Sequence, residues 1–495
     1  MNGMNGVVTS VCETGITVYP NIIGGRRVPP ISGEMIDVHA PGDGLVFAAI
    51  PRSNSMDVDA AVAAARIAFE EGPWRGLSAL ERGRLLLKLS ALVTDHMDEL
   101  AELESRDCGK PIRQGRADII ALARYLEFYG GAADKLMGET IPVSTGYTAM
   151  TIREPHGVVG SIVPWNYPAQ IGGRVIGAAL ATGNTLVMKP AEDAGLSLTR
   201  VAELALQVGF PPGVFNVISG YGAEAGAALA GHPGIDFVTF TGSPQVGTLI
   251  QKAAADNHIG CTLELGGKSP QIVFADADLE ATAPVLVNAI IQNAGQTCSA
   301  GSRIVVERSI AADLIERLAP RFSALVAGPY HTDPDLGPLV SAKQRARVAS
   351  FIAEGEAGGL RIAARGSISP EAPAGGFYIE PTLFVDVPPH HKLAQEEIFG
   401  PVLVVSTFDT EAEALRIANG TDYGLVAGIW TRDGQKAMRM ARAVRSGQVF
   451  VNSYGAGGGV ELPFGGFKKS GHGREKGFEA LNEFTATKTI VLNHG

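Results

Sequence analysis

Cysteine is scarce in this chain: four in 495 residues, at Cys12, Cys108, Cys261 and Cys298. They stand far apart and form no CxxC pair, which excludes a disulfide framework and a structural zinc site and fits a reducing compartment. The adjacent histidines, His390 and His391, follow two prolines and have no partner ligands at metal spacing, so no metal is expected. Basic residues are also short, 41 Lys and Arg against 51 Asp and Glu, and a net charge of −10 excludes the basic footprint that nucleic acid requires. Long apolar runs are missing, so no membrane span is expected, and no basic stretch followed by an apolar one opens the chain. A cytoplasmic protein that handles a small molecule is the expectation.

Glycine is abundant instead. Sixty-two of 495 residues is well above the usual share of about 7 per cent, with no period and no low-complexity tract to explain it. Tight turns and close backbone approaches must be common. The length implies about three domains or lobes. Residues 1 to 55 read as loops and small strands. From Asp57 to Glu104 apolar residues recur at helical spacing, and Ser78-Ala79-Leu80-Glu81 is a capping-box start for a helix carrying Leu85, Leu86, Leu89 and Leu92. A further helix covers about 114–136. From Gly157 short strands alternate with helices: strands 158–163, 185–188, 215–218, 236–240 and 271–274, with helices 169–181 and 196–208 among them. This alternation predicts two doubly wound parallel sheets in succession, an α/β protein. The tail EFTATKTIVL reads as a late strand in need of a partner.

The glycine loops sort by context. TLELGGKS ends like a phosphate-binding P-loop, but the first glycine of that motif is replaced by Thr262. SGYGAEAG is one residue too long for a dinucleotide fingerprint. FTGSPQVG follows a strand and opens a helix, where free N–H groups and the helix dipole can hold an anion. An ordinary strand-to-helix turn stays open for each loop taken singly. The lone cysteine of GQTCSAG is set among small and polar residues that would be idle in a core.

Seven stretches occur in order: PWNYP (164–168), MKPAE (188–192), FTGSPQVG (240–247), ELGGKSP (264–270), GQTCSAGSR (295–303), EEIFGPV (396–402) and LPFGGFKKSG (462–471). Together they resemble the aldehyde dehydrogenase superfamily, its non-acylating NAD(P)-dependent kind, from about residue 20 to the C-terminus. The resemblance implies a Rossmann-like NAD-binding domain (1–136 and 156–264), an α/β catalytic domain (265–467) and a small β oligomerisation element (137–155 and 482–495) in a homodimer or homotetramer. It implies oxidation of an aldehyde to the acid through a thiohemiacetal and a thioester. Cys298 is then the nucleophile, Asn166 with the Cys298 backbone N–H the oxyanion hole, and Glu264 the general base. An Asn166 that only caps the next helix is the competing reading. Glu475 matches a second acidic position that relays protons, although an exposed helix glutamate fits the sequence nearly as well.

For the cofactor, the resemblance places Lys189 and Glu192 on the adenine ribose, Trp165 and Ser243 near the pyrophosphate, and Glu397 and Phe399 on the nicotinamide-ribose side. Gly222 and Gly242 would give close approach. A carboxylate at Glu192 would repel the extra phosphate of NADP, which favours NAD and leaves NADP open. Arg174 falls where semialdehyde-specific relatives carry arginine, and the next residue, Val175, is usually lysine. Arg174 therefore reads either a substrate carboxylate or a surface or interface ion pair. Gly455, Gly457, Gly458 and Gly459 stand where many relatives have bulky residues, implying a roomy pocket for an aromatic or long aldehyde, with Tyr167 and Tyr454 as lining or core. A CoA-acylating enzyme would lack the base that Glu264 supplies. A thiolase-like acyltransferase would lack the cofactor loops, and a non-catalytic relative would have lost Cys298 or Glu264.

Overall fold

The computed structural model describes residues 16–455 and 459–495. Cys12 and Gly457 lie outside them. Two large sheets follow one another along the chain, as the alternation of strands and helices predicts. The first has eight strands in the order Gly471–His472, Gly260–Glu264, Phe237–Thr241, Val158–Val163, Thr185–Pro190, Phe215–Val217, Asn21–Ile23 and Arg26–Val28. Its five central neighbours, from Gly260–Glu264 to Phe215–Val217, run parallel. These strands are apolar on both faces because helices cover both sides, which is what a parallel sheet demands.

The second sheet has seven strands, with Val402–Phe408, Arg303–Glu307 and Pro270–Val273 at its centre. The capping box forms as expected. Ser78 Oγ accepts from the Glu81 N–H, and Glu81 reaches back to the Ser78 N–H at 2.7 Å, starting the helix Ala79–Asp95. That helix and Ile112–Ala132 pack against Pro168–Ala181, which carries three glycines. At Gly177 an added Cβ would lie 2.5 Å from the Tyr129 ring, so only glycine lets these helices approach so closely.

The tail strand Thr485–Asn493 finds its partner within the chain. It pairs antiparallel with Tyr147–Pro155 through nine residue pairs, and Thr140–Ile141 completes a small three-stranded sheet. The outer edge of the tail strand stays open, with Val491 and Leu492 exposed. The chain returns to the first lobe before residue 467, because Val460 already packs in that lobe's core beside Leu481 and Phe484. Among the described residues, no helix is long and apolar enough to cross a membrane.

Candidate active site

In the first sheet, the strands after Val158–Val163 are laid first to one side of it and then, from Phe237–Thr241, to the other. Open α/β sheets bind ligands beyond the strand ends at such a reversal. A cavity of about 400 Å³ opens there, lined by Trp165, Asn166, Gly242, Ser243, Glu397 and Phe399, with Glu264 and Cys298 at its inner end. Ser243 caps the helix Pro244–Asp256 by accepting from the Val246 N–H, so the helix N-terminus faces the cavity. Gly242 is held to glycine by packing: a Cβ would lie 2.5 Å from the Phe240 ring. Trp165 and Phe399 meet edge to face at 5.3 Å. Glu397 Oε1 accepts from the Gly267 N–H at 2.8 Å, and burial pushes its carboxyl up to about 7.

Lys189, Glu192 and Gly222 form a separate cluster at the end of the neighbouring strand. Lys189 Nζ lies 2.9 Å from Glu192 Oε2, and the Gly222 N–H donates to Glu192 Oε1 at 3.4 Å. A Cβ on Gly222 would meet nothing within 4 Å, leaving room beside the carboxylate.

Cys298 follows a turn in which Asn293, Ala294 and Gly295 all have positive φ. Such backbone is costly for residues other than glycine, and it is held here by tight packing. A Cβ on Gly295 would lie 2.2 Å from the Gly400 carbonyl oxygen, and one on Gly267 would lie 2.4 Å from that of Cys298. The cysteine loop is thus laid directly on the ELGGKSP stretch. Burial pushes the Cys298 thiol up to about 12; the Arg174 guanidinium opposes this and Glu264 adds to it.

Asn166 does not cap the following helix. The N-cap residue of Pro168–Ala181 is Tyr167, without a side-chain cap, while Asn166 Nδ2 donates to the Gln296 carbonyl at 2.9 Å. The Asn166 carbonyl accepts from Lys110 Nζ at 3.0 Å and from Asn293 Nδ2 at 2.7 Å. Lys110, which the sequence reading did not single out, thus holds the Asn166 backbone. It is fully buried, paired to Asp118 at 2.5 Å, and its ammonium sits 4.4 Å from the centre of the Tyr167 ring. A lysine in the short connection between two helices gave no signal of that position.

Glu264 ends the strand Gly260–Glu264 and is buried. Among the described residues, neither of its carboxylate oxygens has a hydrogen-bond partner. Burial, reinforced by Glu475, pushes its carboxyl well above the ordinary carboxylate range. Glu475 is not an exposed helix residue. It is 2% exposed, precedes the helix Gly477–Glu483, and faces Arg174 Nη1 and Thr239 Oγ1, each at 3.4 Å.

A second cavity, of about 230 Å³, meets the first at Thr241, Glu264 and Cys298. Its walls include Tyr125, Tyr167, Arg174, Phe450, Tyr454 and Phe464. Tyr167 and Tyr454 thus line the cavity. The Tyr167 hydroxyl shares a hydrogen bond with Thr297, and the Tyr454 hydroxyl donates to the Ser299 carbonyl at 2.5 Å. Arg174 is no surface residue. It lines this cavity, donates from Nε to the Tyr125 hydroxyl at 3.3 Å, and stacks over Phe464 at 5.0 Å. Lys476 also borders the cavity, a second residue that the sequence reading missed. A larger open cleft of about 520 Å³, near Arg308 and His390, holds none of the expected site residues.

The fold is that of an NAD(P)-linked aldehyde-oxidising enzyme. Residues 28–490 match the model of the aldehyde dehydrogenase family, and the chain belongs to that family. It is 43% identical to the NADP/NAD-dependent aldehyde dehydrogenase PuuC of Escherichia coli (strain K12), covering 95% of each chain. The crystal structure of a Burkholderia cenocepacia protein with a provisional aldehyde dehydrogenase name superposes with a TM-score of 0.95 at 61% identity, covering 96% of this chain and 100% of that one. The NAD⁺ complex of an aldehyde dehydrogenase from Bacillus cereus superposes with a TM-score of 0.93 at 41% identity, covering 96% and 97%. The expected family and α/β architecture are both borne out.

Proposed function

We propose that the chain oxidises an aromatic or otherwise bulky neutral aldehyde to its carboxylic acid with NAD, through a thioester on Cys298. The observation that carries this reading is that Cys298 and Glu264 line both cavities at once. A nucleophile and a base at that junction can reach a carbonyl entering from one side and a cofactor lying on the other. The cofactor-side residues fit a dinucleotide: a helix N-terminus with Ser243 suits a pyrophosphate, and Glu192 with Lys189 at a strand end suits a ribose diol. Glu192 disfavours an added phosphate, which makes NAD the preferred cofactor over NADP. Glu397 and Phe399 hold the nicotinamide end. When bound, the cofactor supplies the hydride acceptor.

The chain's own residues do the rest. The Cys298 sulfur adds to the aldehyde carbon as the thiolate, its proton having been released to solvent, and the negative charge that passes to oxygen is met by Asn166 Nδ2 and the Cys298 backbone N–H. Lys110 and Asn293 fix the Asn166 backbone for that task. After oxidation the thioester must be hydrolysed. Glu264, in its ionised form and without a hydrogen-bond partner among the described residues, takes a proton from the attacking water, and Glu475 beside Arg174 passes the proton outward. Five aromatic rings in the substrate cavity favour an aromatic or bulky aldehyde. Arg174 gives the second reading, an aldehyde with a distal carboxylate, but its guanidinium already faces Glu475 and the Tyr125 hydroxyl. We assign the first sheet to cofactor binding, the second to catalysis, and the small sheet to assembly of a cytoplasmic homodimer or homotetramer.

The test is NADH production across aliphatic, aromatic and carboxylated aldehydes, repeated with NADP and with CoA. Aromatic aldehydes should turn over best, with NAD ahead of NADP and no demand for CoA. Preference for carboxylated aldehydes would transfer the reading to Arg174, and no turnover at all would sink it.

A further inference from the structure

The helix Pro168–Ala181 starts without a cap of its own, because its N-cap residue, Tyr167, makes no side-chain bond to the first N–H groups. The acceptor comes from another helix. Glu104, in the helix Met97–Cys108, takes the Ala169 N–H on Oε1 at 3.3 Å and the Ser197 hydroxyl on Oε2 at 2.6 Å. Lys110 Nζ stands 3.5 Å from that same Oε1 and 2.5 Å from Asp118 Oδ2, while Asp118 Oδ1 accepts from Gln170 Nε2 at 2.6 Å. None of the three charged residues is more than 2% exposed. Their bonds converge on one stretch: Lys110 on the Asn166 carbonyl and the Tyr167 ring, Glu104 on Ala169, and Asp118 on Gln170. A buried ion cluster seldom stabilises a fold more than apolar side chains of the same volume would, so its bonding pattern is what calls for a reason. That pattern spans both halves of the site. Asn166 lines the cofactor-side cavity, and Tyr167 and Gln170 line the substrate cavity. The same stretch is tied to the cysteine loop, through Asn166 Nδ2 to the Gln296 carbonyl and through the Tyr167 hydroxyl to Thr297.

We propose that Glu104, Lys110 and Asp118 form one clamp that fixes residues 166–170 against the cysteine loop, with Lys110 and Asp118 as positioning residues for the oxyanion donor and the substrate wall at once. This rests on the reading of Asn166 as that donor. Asp118 joins the two halves: one oxygen holds the lysine that sets Asn166, and the other holds Gln170. A displacement of about 1 Å is enough to cost about 10²-fold in rate. Loss of the clamp therefore slows the chemistry through Asn166 and blurs the choice of aldehyde through Tyr167 and Gln170.

Lys110→Met keeps an unbranched buried chain and removes the ammonium; the isosteric Asp118→Asn is the second variant, used where the first fails to fold. With saturating NAD and benzaldehyde, each should lower kcat by about 10- to 100-fold. In an Asn166→Ala background the same change should cost less than about threefold, because the group being positioned is gone. Losses that multiply in the double variant would overturn the clamp, as would a kcat within about twofold of the parent. An unchanged ratio of kcat/KM for benzaldehyde over acetaldehyde would remove its link to the substrate wall. Hydrogen exchange on the substrate-free protein supplies a readout that needs no turnover. The peptide over 166–170 should exchange at least about tenfold faster in the variants, while the strand Arg303–Glu307 of the second sheet keeps the parent rate. Equal acceleration in both places would show general loosening and overturn the clamp. Local acceleration in the variants of a parent that oxidises no aldehyde removes the oxidation reading alone; multiplied losses in the variants of an active parent remove the clamp alone.

Discussion

Replacing Glu264 by Gln isolates the hydrolytic step. Burial pushes the carboxyl well above the ordinary carboxylate range, and neither oxygen has a partner among the described residues. An amide of the same shape therefore breaks no hydrogen bond among the described residues, and the stability change should stay below about 1 kcal/mol. The chemistry is affected far more. Glutamine cannot take a proton from water, and general-base assistance contributes about 10²- to 10⁴-fold. Steady-state turnover should fall by that factor, while the steps up to the thioester survive. In a stopped-flow experiment with saturating NAD and aldehyde, the variant should release about one NADH per active site in a rapid phase and then stall. Steady turnover within about tenfold of the parent would refute the assignment of Glu264 as base. Loss of the rapid phase would place the glutamate's work before hydride transfer.

Cys298→Ala should abolish oxidation and leave NAD affinity, measured by calorimetry, within about threefold, because the cavity lining is otherwise intact. Asn166→Ala should lower kcat by about 10²- to 10³-fold, the loss expected for one oxyanion donor, with Lys110 still anchored on the backbone carbonyl. The pH dependence of Cys298 alkylation by iodoacetamide should be displaced upward in the cofactor-free enzyme. Burial keeps the thiol protonated, so the rate should still be climbing above the ordinary cysteine value of about 8.5, and a plateau below about pH 8 would contradict the environment described for it.

Much of the architecture was legible because it rests on local periodicity. The strands near 158–163, 185–190 and 237–241 and the capping box at Ser78 each carry their signal within a few residues. The candidate site residues came from motif resemblance, and the structure gathers Cys298, Glu264 and Asn166 around one cavity. What stayed hidden depends on distant packing. Nothing near Lys110 announces that it will sit under Tyr167 and hold the Asn166 carbonyl. Glu475 has the charged neighbours of a surface residue, and its burial comes only when the returning segment folds against Arg174. Lys476 was hidden for the same reason. The alternatives for Arg174 were ambiguous in sequence because its partner lies about 300 residues away.

The antiparallel strand Gly471–His472 closes the edge of Gly260–Glu264, pairing Gly471 with Glu264. In time rather than space, this edge is finished about 200 residues after the glutamate leaves the ribosome, or on the order of 10–40 s at usual synthesis rates. During that interval the first lobe has an unpaired strand and lacks Val460, Leu481 and Phe484 from its core. The nascent chain must therefore carry a sticky, unfinished sheet through translation of the whole second lobe. Truncation anywhere before residue 471 leaves the same defect for good, and such fragments should aggregate rather than persist as a free cofactor-binding lobe.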